Sequence, residues 1–380
     1  MKTNLKKLLY SGVTLMSLGV LAACSTASSS TTTSSSVVTS QTSVATSSSS
    51  TSSSSSSSSI DWSALPTTEV TLSNDGLKIT EGGTYILTGS TTAGVTVETD
   101  ANVRIILAGA DISSSDNAAI NVIKADNVEL ELKDGTSNTV KDTSNHSDTN
   151  IEGAIHVEAD LTITGNGNLT VEGNFQDGIV STDDLVINAS NIKVTAVDDG
   201  MRGKDSLTIN GGTIDVIAGG DGIKSTNDTD TTKGYTRITG GEITVKAGDD
   251  AIKAETALTI DGGTITVPES LEALEGTNIT INGGTLDVYG SDDAINAAST
   301  TSTDIFIKVT GGDLKVAVGS GDTDAFDANG DIHISGGTID VTAPTSAFDF
   351  DGTAELTGGT VRVNGEQISQ IVATGPGARW

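Results

Sequence analysis

One phrase of about 22 residues recurs eight times between Asp177 and Asp349, and it leaves little freedom in what this chain can fold into. The copies begin at Asp177, Asp199, Asp221, Asp250, Glu272, Asp293, Asp324 and Ser346, with steps of 22, 22, 29, 22, 21, 31 and 22 residues. Self-similarity at such a period marks a solenoid, in which no unit can bury its apolar face without its neighbours.

Each copy holds three short apolar bursts of period 2, the spacing of strands and not of helices. The first burst supplies one inward residue per coil: Ile179, Met201, Ile223, Ile252, Leu274, Ile295, Phe326 and Phe348. The second and third supply pairs, such as Leu207/Ile209 and Ile214/Val216. Three strands per turn predict an all-β chain: a right-handed, single-stranded parallel β-helix of three sheets, with rungs about 4.8 Å apart. Less regular strands from Tyr85 to Val171 add coils upstream. About a dozen coils would make a rod of roughly 55 to 60 Å. Its open ends need covers, for which Trp62 to Leu77 and Ile368 to Trp380 are the candidates.

Corners repeat as faithfully. A Gly-Gly pair divides the second burst from the third, beginning at Gly211, Gly240, Gly262, Gly283, Gly311, Gly336 and Gly358. Such corners call for positive φ, which glycine reaches without steric cost. The residue before each inward apolar is Gly or Ala, implying close approach to the next rung.

Ahead of the repeats stands an address. Lys2, Lys6 and Lys7 precede an apolar run that ends Leu21-Ala22-Ala23-Cys24, which resembles a bacterial lipobox. Residues 1–23 are therefore expected to be a lipoprotein signal peptide, with Cys24 lipidated. Residues 24–60 are nearly all Ser and Thr and read as a flexible tether spanning roughly 30 to 35 Å. The β-helix is assigned to residues 61–380. Cys24 is the single cysteine, so no disulfide can staple the fold. The expected setting is extracellular, with the membrane reached only through the lipid, and the chain is expected to be monomeric.

Net charge is −30. Loss of the three leader lysines brings it to about −33, which excludes nucleic acid as a partner. The acids concentrate at the corner entering the first strand: Asp198, Asp199, Asp221, Asp249, Asp250, Asp292, Asp293, Asp322 and Asp324. Stacked one rung apart, two carboxylates repel by roughly 3 to 4 kcal/mol. Dense oxygen ligands of this kind suit Ca²⁺, which takes six to eight oxygens. These nine residues are the candidate metal positions. The outward position after the inward apolar reads Arg202, Lys224 and Lys253 in successive coils, with Lys204 nearby. This cationic stripe either neutralises the adjacent acids or meets the carboxylates of an acidic polysaccharide. On the second reading both lysines face solvent, and reversing them would leave the melting temperature nearly unchanged. Tyr289 is the candidate stacking platform, with Tyr235 in a longer insertion after Asp221. The histidines show no zinc spacing.

From Trp62 to about Gly365 the chain resembles a family of bacterial surface carbohydrate-binding domains, known from clostridial cellulose degraders and Firmicute lipoproteins. The matching phrases are Asp160-Leu-Thr-Ile-Thr-Gly-Asn-Gly-Asn-Leu-Thr-Val, Asp198-Asp-Gly-Met-Arg-Gly-Lys-Asp-Ser-Leu-Thr-Ile, Gly219-Gly-Asp-Gly-Ile-Lys-Ser and Gly248-Asp-Asp-Ala-Ile-Lys-Ala-Glu. The resemblance implies a pectate-lyase-like β-helix, calcium at Asp-rich corners, and affinity for plant-type polysaccharide such as cellulose or polygalacturonate. Carried over, the metal positions are Asp198, Asp199, Asp221, Asp249 and Asp250. The pattern breaks at Glu272, with Leu271 beside it, and at Ser346, where no acid remains. These two rungs are not counted among the metal positions.

Three functions fit: a carbohydrate-binding surface lipoprotein, a calcium-dependent lyase, and a structural adhesin. A lyase needs a base whose pKa is depressed. Asp neighbours would instead raise Arg202, Lys224 and Lys253, so binding without cleavage is the expectation.

Overall fold

The computed structural model describes residues 60–321 and 323–374. Cys24, the leader and nearly all of the Ser/Thr segment lie outside the described residues, as does Asp322.

The chain winds as a parallel β-helix. Its first column of strands runs Leu77–Ile79, Val95–Glu98, Ile120–Lys124, Gly153–Val157, Asp177–Ser181, Met201–Gly203, Ile223–Ser225, Ile252–Ile260, Leu274–Ile281, Ile295–Ala297, Asp324–Ala328 and Ser346–Phe350. Each pairs in parallel with the next. Register follows the repeat, with Met201 opposite Ile223, Arg202 opposite Lys224 and Gly203 opposite Ser225. The other two columns stack alike, as in Leu207 opposite Leu185 and Ile214 opposite Ile243.

Apolar residues of all three columns point into one continuous core. The eight expected inward residues of the first column are fully buried. Phe326 and Phe348 stack inside it with ring centroids 5.2 Å apart. Alternation thus places the same residue type at the same depth in every coil, and ladders of identical contacts replace the varied packing of a globular core.

The corners behave as read. Gly212 takes φ 104°, and the second glycine of every later pair is likewise positive. A Cβ on Gly200 would collide with the Val216 side chain and the carbonyl of Gly222.

At the N-terminal end the expectation needs amendment. Thr67–Leu72 does not merely cover the first rung but pairs in parallel with Gly83–Thr91, adding strand to the helix. At the other end Glu366–Ile368 folds back antiparallel on Thr360–Val363, which covers that edge. The loop before Asn150 is pinned from inside, with His146 Nε2 3.0 Å from Asp142 Oδ2 and its ring stacked on Phe175.

Departures from the 22-residue step have one structural consequence that matters for the surface. In the coils of Ile252 and Leu274, first and second strands fuse into single strands, Ile252–Ile260 and Leu274–Ile281. In the coils on either side the same corner carries an insertion, residues 226–234 and 298–305. The 29- and 31-residue steps are these insertions.

Candidate functional site

Ladder aspartates open the strands of the first column, and the backbone itself explains why they are aspartate. Oδ1 of Asp177 accepts from the N–H of Asp199 at 3.1 Å. Asp199 does the same for Asp221 at 3.0 Å, and Asp221 for Asp250 at 3.0 Å. Asp293 repeats the motif with Asp324 at 2.7 Å. A one-carbon carboxylate spans the rung spacing, and it satisfies an amide that the corner turns away from the strand ladder. Asp177, Asp199, Asp221 and Asp250 are all buried. They are therefore structural acceptors first.

Their second oxygens recruit the cationic stripe. Lys224 Nζ lies 2.5 Å from Asp199 Oδ2 and 3.0 Å from Asp221 Oδ2. Lys253 Nζ lies 2.6 Å from Asp250 Oδ2 and 2.8 Å from Glu275 Oε2. Arg202 bridges Asp177, at 2.8 Å, and Glu152. The side chains of Lys224 and Lys253 are only 19% and 24% exposed. This corrects the expectation of solvent-facing lysines. They offset part of the ladder's repulsion, and their neighbouring carboxylates hold Arg202, Lys224 and Lys253 above their ordinary pKa despite burial.

Neutralisation is incomplete. Around Lys253 two carboxylates, Asp250 and Glu275, share one cation, Glu272 adds a third beside Asp250, and burial pushes Asp250 and Glu275 each to about 7. Beyond Glu275 the stripe continues as Asn296, Asp327 and Asp349, and among the described residues no lysine or arginine pairs with it. There burial, followed by repulsion from other carboxylates, raises Asp293 to about 7 and Asp327 to about 6.

Among the described residues one group of three carboxylates, Asp249, Asp250 and Glu272, brings its oxygens within 4.8 Å of one another. Glu272, which the sequence pattern set aside, is thus part of the best-formed acidic corner. Asp249 is exposed, and no hydrogen-bond donor reaches Oδ1 of buried Asp250. Hard, anionic oxygens on adjacent rungs fit the donor preference of Ca²⁺. The remaining candidates are spread along the edge. Asp198 and Asp292 are exposed, Asp293 is half-buried and Asp324 is buried.

Lys204 is exposed and lines a cavity of about 160 Å³ with Arg202, Glu152 and His156. Tyr289 stands in a third-column strand, opposite Ala317, and does not join the stripe. Tyr235 does face a concave surface, a groove of about 750 Å³ between the two insertions. Periodicity alone did not single out this groove; the long steps of the repeat were its signal.

A family model described as "Carbohydrate-binding domain-containing protein" matches residues 73–325, about two thirds of the chain. A carbohydrate-binding domain-containing protein of Acetivibrio thermocellus is 34% identical over 135 residues, which is 33% of this chain and 47% of that protein. The match spans about half the length of this curated relative. A solved structure described as the polysaccharide lyase-like protein from C. thermocellum, gadolinium derivative, aligns with a TM-score of 0.51 at 32% identity. The alignment covers 58% of this chain and 93% of the other.

Proposed function

We propose, from the premise that this chain belongs to the family of carbohydrate-binding domain-containing proteins, that it is an extracellular, lipid-anchored protein that holds acidic or plant-type polysaccharide with the help of calcium. The observation that carries the calcium reading is the corner of Asp249, Asp250 and Glu272, with its convergent carboxylates and the donor-free Asp250 Oδ1. Asp249, Asp250 and Glu272 would hold the ion, and an exposed coordination position would accept a uronate carboxylate from a polygalacturonate-like chain. Preparation of a relative as a gadolinium derivative accords with this, since that ion also prefers hard oxygen donors. Anchoring through Cys24, a monomeric state and Ca²⁺ as the bound ion belong to the same reading.

Binding without cleavage is favoured over a lyase. A lysine or arginine abstracts a proton only in its deprotonated form, whereas the ladder carboxylates keep Arg202, Lys224 and Lys253 protonated. In a polygalacturonate affinity gel the full chain should be retarded with calcium and released by chelator. Asp249→Asn combined with Glu272→Gln should weaken retention at least tenfold. Ultraviolet absorbance of the mixture should stay flat; a steady rise from unsaturated product would make the protein a lyase. Retention that ignores both chelator and the double variant would remove calcium from the mechanism.

The anchor has its own test. Cys24→Ala should leave the leader uncleaved or shift the protein from detergent phase to medium. Detergent partitioning identical to that of the parent chain would end the lipoprotein reading.

A further inference from the structure

The groove between the insertions has the form of a channel. Its floor is the fused pair Ile252–Ile260 and Leu274–Ile281, two adjacent rungs that pair from Ile252 to Ile260 with one irregularity. Its walls are residues 226–234 and 298–305, borne by the rungs immediately before and after. The walls therefore rise three rung spacings apart, about 14 Å between backbones. A chain lying in it must run along the strands, across the helix, and not down its axis.

Both walls are held in shape. Asn227 is buried, donates to Asp205 at 2.7 Å and accepts from the N–H groups of Thr229 and Asp230. Lys233 ties the far end of that loop to Asp205 at 2.5 Å. In the other wall Ser299 Oγ accepts from the N–H groups of Thr301 and Ser302. The floor is bound to the wall where Thr256 donates to the Lys233 carbonyl at 2.6 Å. A preformed groove spares a ligand the cost of ordering loops.

Its lining is hydroxyl-rich: ten of 21 lining residues are Thr, Ser or Tyr, and two more are Asn. The half-exposed ring of Tyr235 stands at the base of one wall. Carboxylates of Asp228, Glu255 and Glu275 outnumber the cations Arg237 and Lys253. Both cations are already engaged, Arg237 with Asp261 at 2.7 Å and Lys253 with Asp250 and Glu275. A free uronate would meet net negative charge here. Sugar hydroxyls would meet acceptors and donors on three sides, with an aromatic face for the ring.

We propose that this groove is a second glycan subsite, distinct from the calcium corner, that holds one strand of a neutral, hydroxyl-rich polysaccharide along the fused strands with Tyr235 as its platform. The inference rests on the carbohydrate-binding reading but not on calcium.

Affinity electrophoresis of the full chain, in chelator and in parallel with calcium, tests it, with hydroxyethylcellulose, neutral arabinoxylan, galactomannan and polygalacturonate as the probes. At least one neutral polymer should retard the parent chain. Tyr235→Ala should weaken that retardation about tenfold or more. Thr301→Trp, at an exposed wall position, should block the channel without touching the core. Tyr289→Ala should behave as the parent. Neutral-polymer binding unchanged in both groove variants would overturn the groove while leaving carbohydrate binding intact. Retention by polygalacturonate alone, and only with calcium, would overturn the neutral subsite and leave the corner standing. A parent chain retained by none of the polymers under either condition would overturn both readings.

Discussion

Lys253→Glu is expected to destabilise the fold by about 3 to 5 kcal/mol, the range for breaking a buried ion pair by removing one partner. The surroundings of the ammonium set that cost. Its Nζ is 2.6 Å from buried Asp250 and 2.8 Å from Glu275, with Glu272 close behind. Reversal would add a fourth carboxylate to a corner where burial already holds Asp250 and Glu275 at about 7. Lys224→Glu should act similarly, because Lys224 joins Asp199 to Asp221. Lys315→Glu supplies the control: that side chain is 74% exposed and lies 3.6 Å from Asp287, so its loss should matter by less than about 1 kcal/mol. Urea denaturation of the three variants separates the cases. Equal midpoints for Lys253→Glu and Lys315→Glu would show that the stripe does not hold the ladder together. The result also bears on binding assays, since glycan retention lost in Lys253→Glu would report unfolding as readily as a missing contact.

That lysine marks the boundary of what the sequence could disclose. The β-helix, its three columns and the inward residues from Ile179 to Phe348 follow from periodicity, because a parallel solenoid repeats each residue's environment at each turn. The glycine corners were legible for the same reason. Neutralisation of the adjacent acids was one of two readings left open, but the direction of a long side chain was not legible. Lys224 occupies an outward position, yet its flexible stem folds back three residues to Asp221 and across one rung to Asp199. Sequence spacing gives the Cβ direction and leaves four further torsions open. Glu272 was set aside because the motif broke there, although a glutamate one methylene longer reaches the same corner as its aspartate neighbours. The groove escaped for a different reason. It is made where the repeat fails, by insertions after Ile223–Ser225 and Ile295–Ala297, and a regular pattern speaks only for the rungs that obey it.

In chelator, the melting temperature is expected to fall as pH rises from about 5 to 8, and calcium is expected to reverse that trend. Burial holds Asp250, Glu275 and Asp293 at about 7, and Asp177 and Asp327 at about 6, in the native protein. In the unfolded chain these groups ionise near the ordinary carboxylate value of about 4. Between those limits the native state binds more protons than the unfolded state, so stability declines with rising pH. Buried His156, held down at about 4, works in the opposite sense, but it is one group against five. Even a single carboxyl shifted by two units corresponds to about 2.7 kcal/mol, or on the order of 4 °C for a domain of this size. Calcium needs the deprotonated oxygens, so its effect should be small at pH 5 and largest at pH 8. At a hundredfold excess over its dissociation constant it adds about 2.7 kcal/mol, enough to cancel much of the decline. Asp249→Asn with Glu272→Gln should blunt the calcium response, since two of the three converging carboxylates are then neutral amides. Thermal melts at pH 5, 6, 7 and 8, each with calcium and with chelator, decide the matter. A melting temperature that climbs with pH in chelator would refute the buried-acid account. Superimposable curves with and without calcium at pH 8 would leave the ladder as a row of buried structural acceptors, neutralised by Arg202, Lys224 and Lys253 alone.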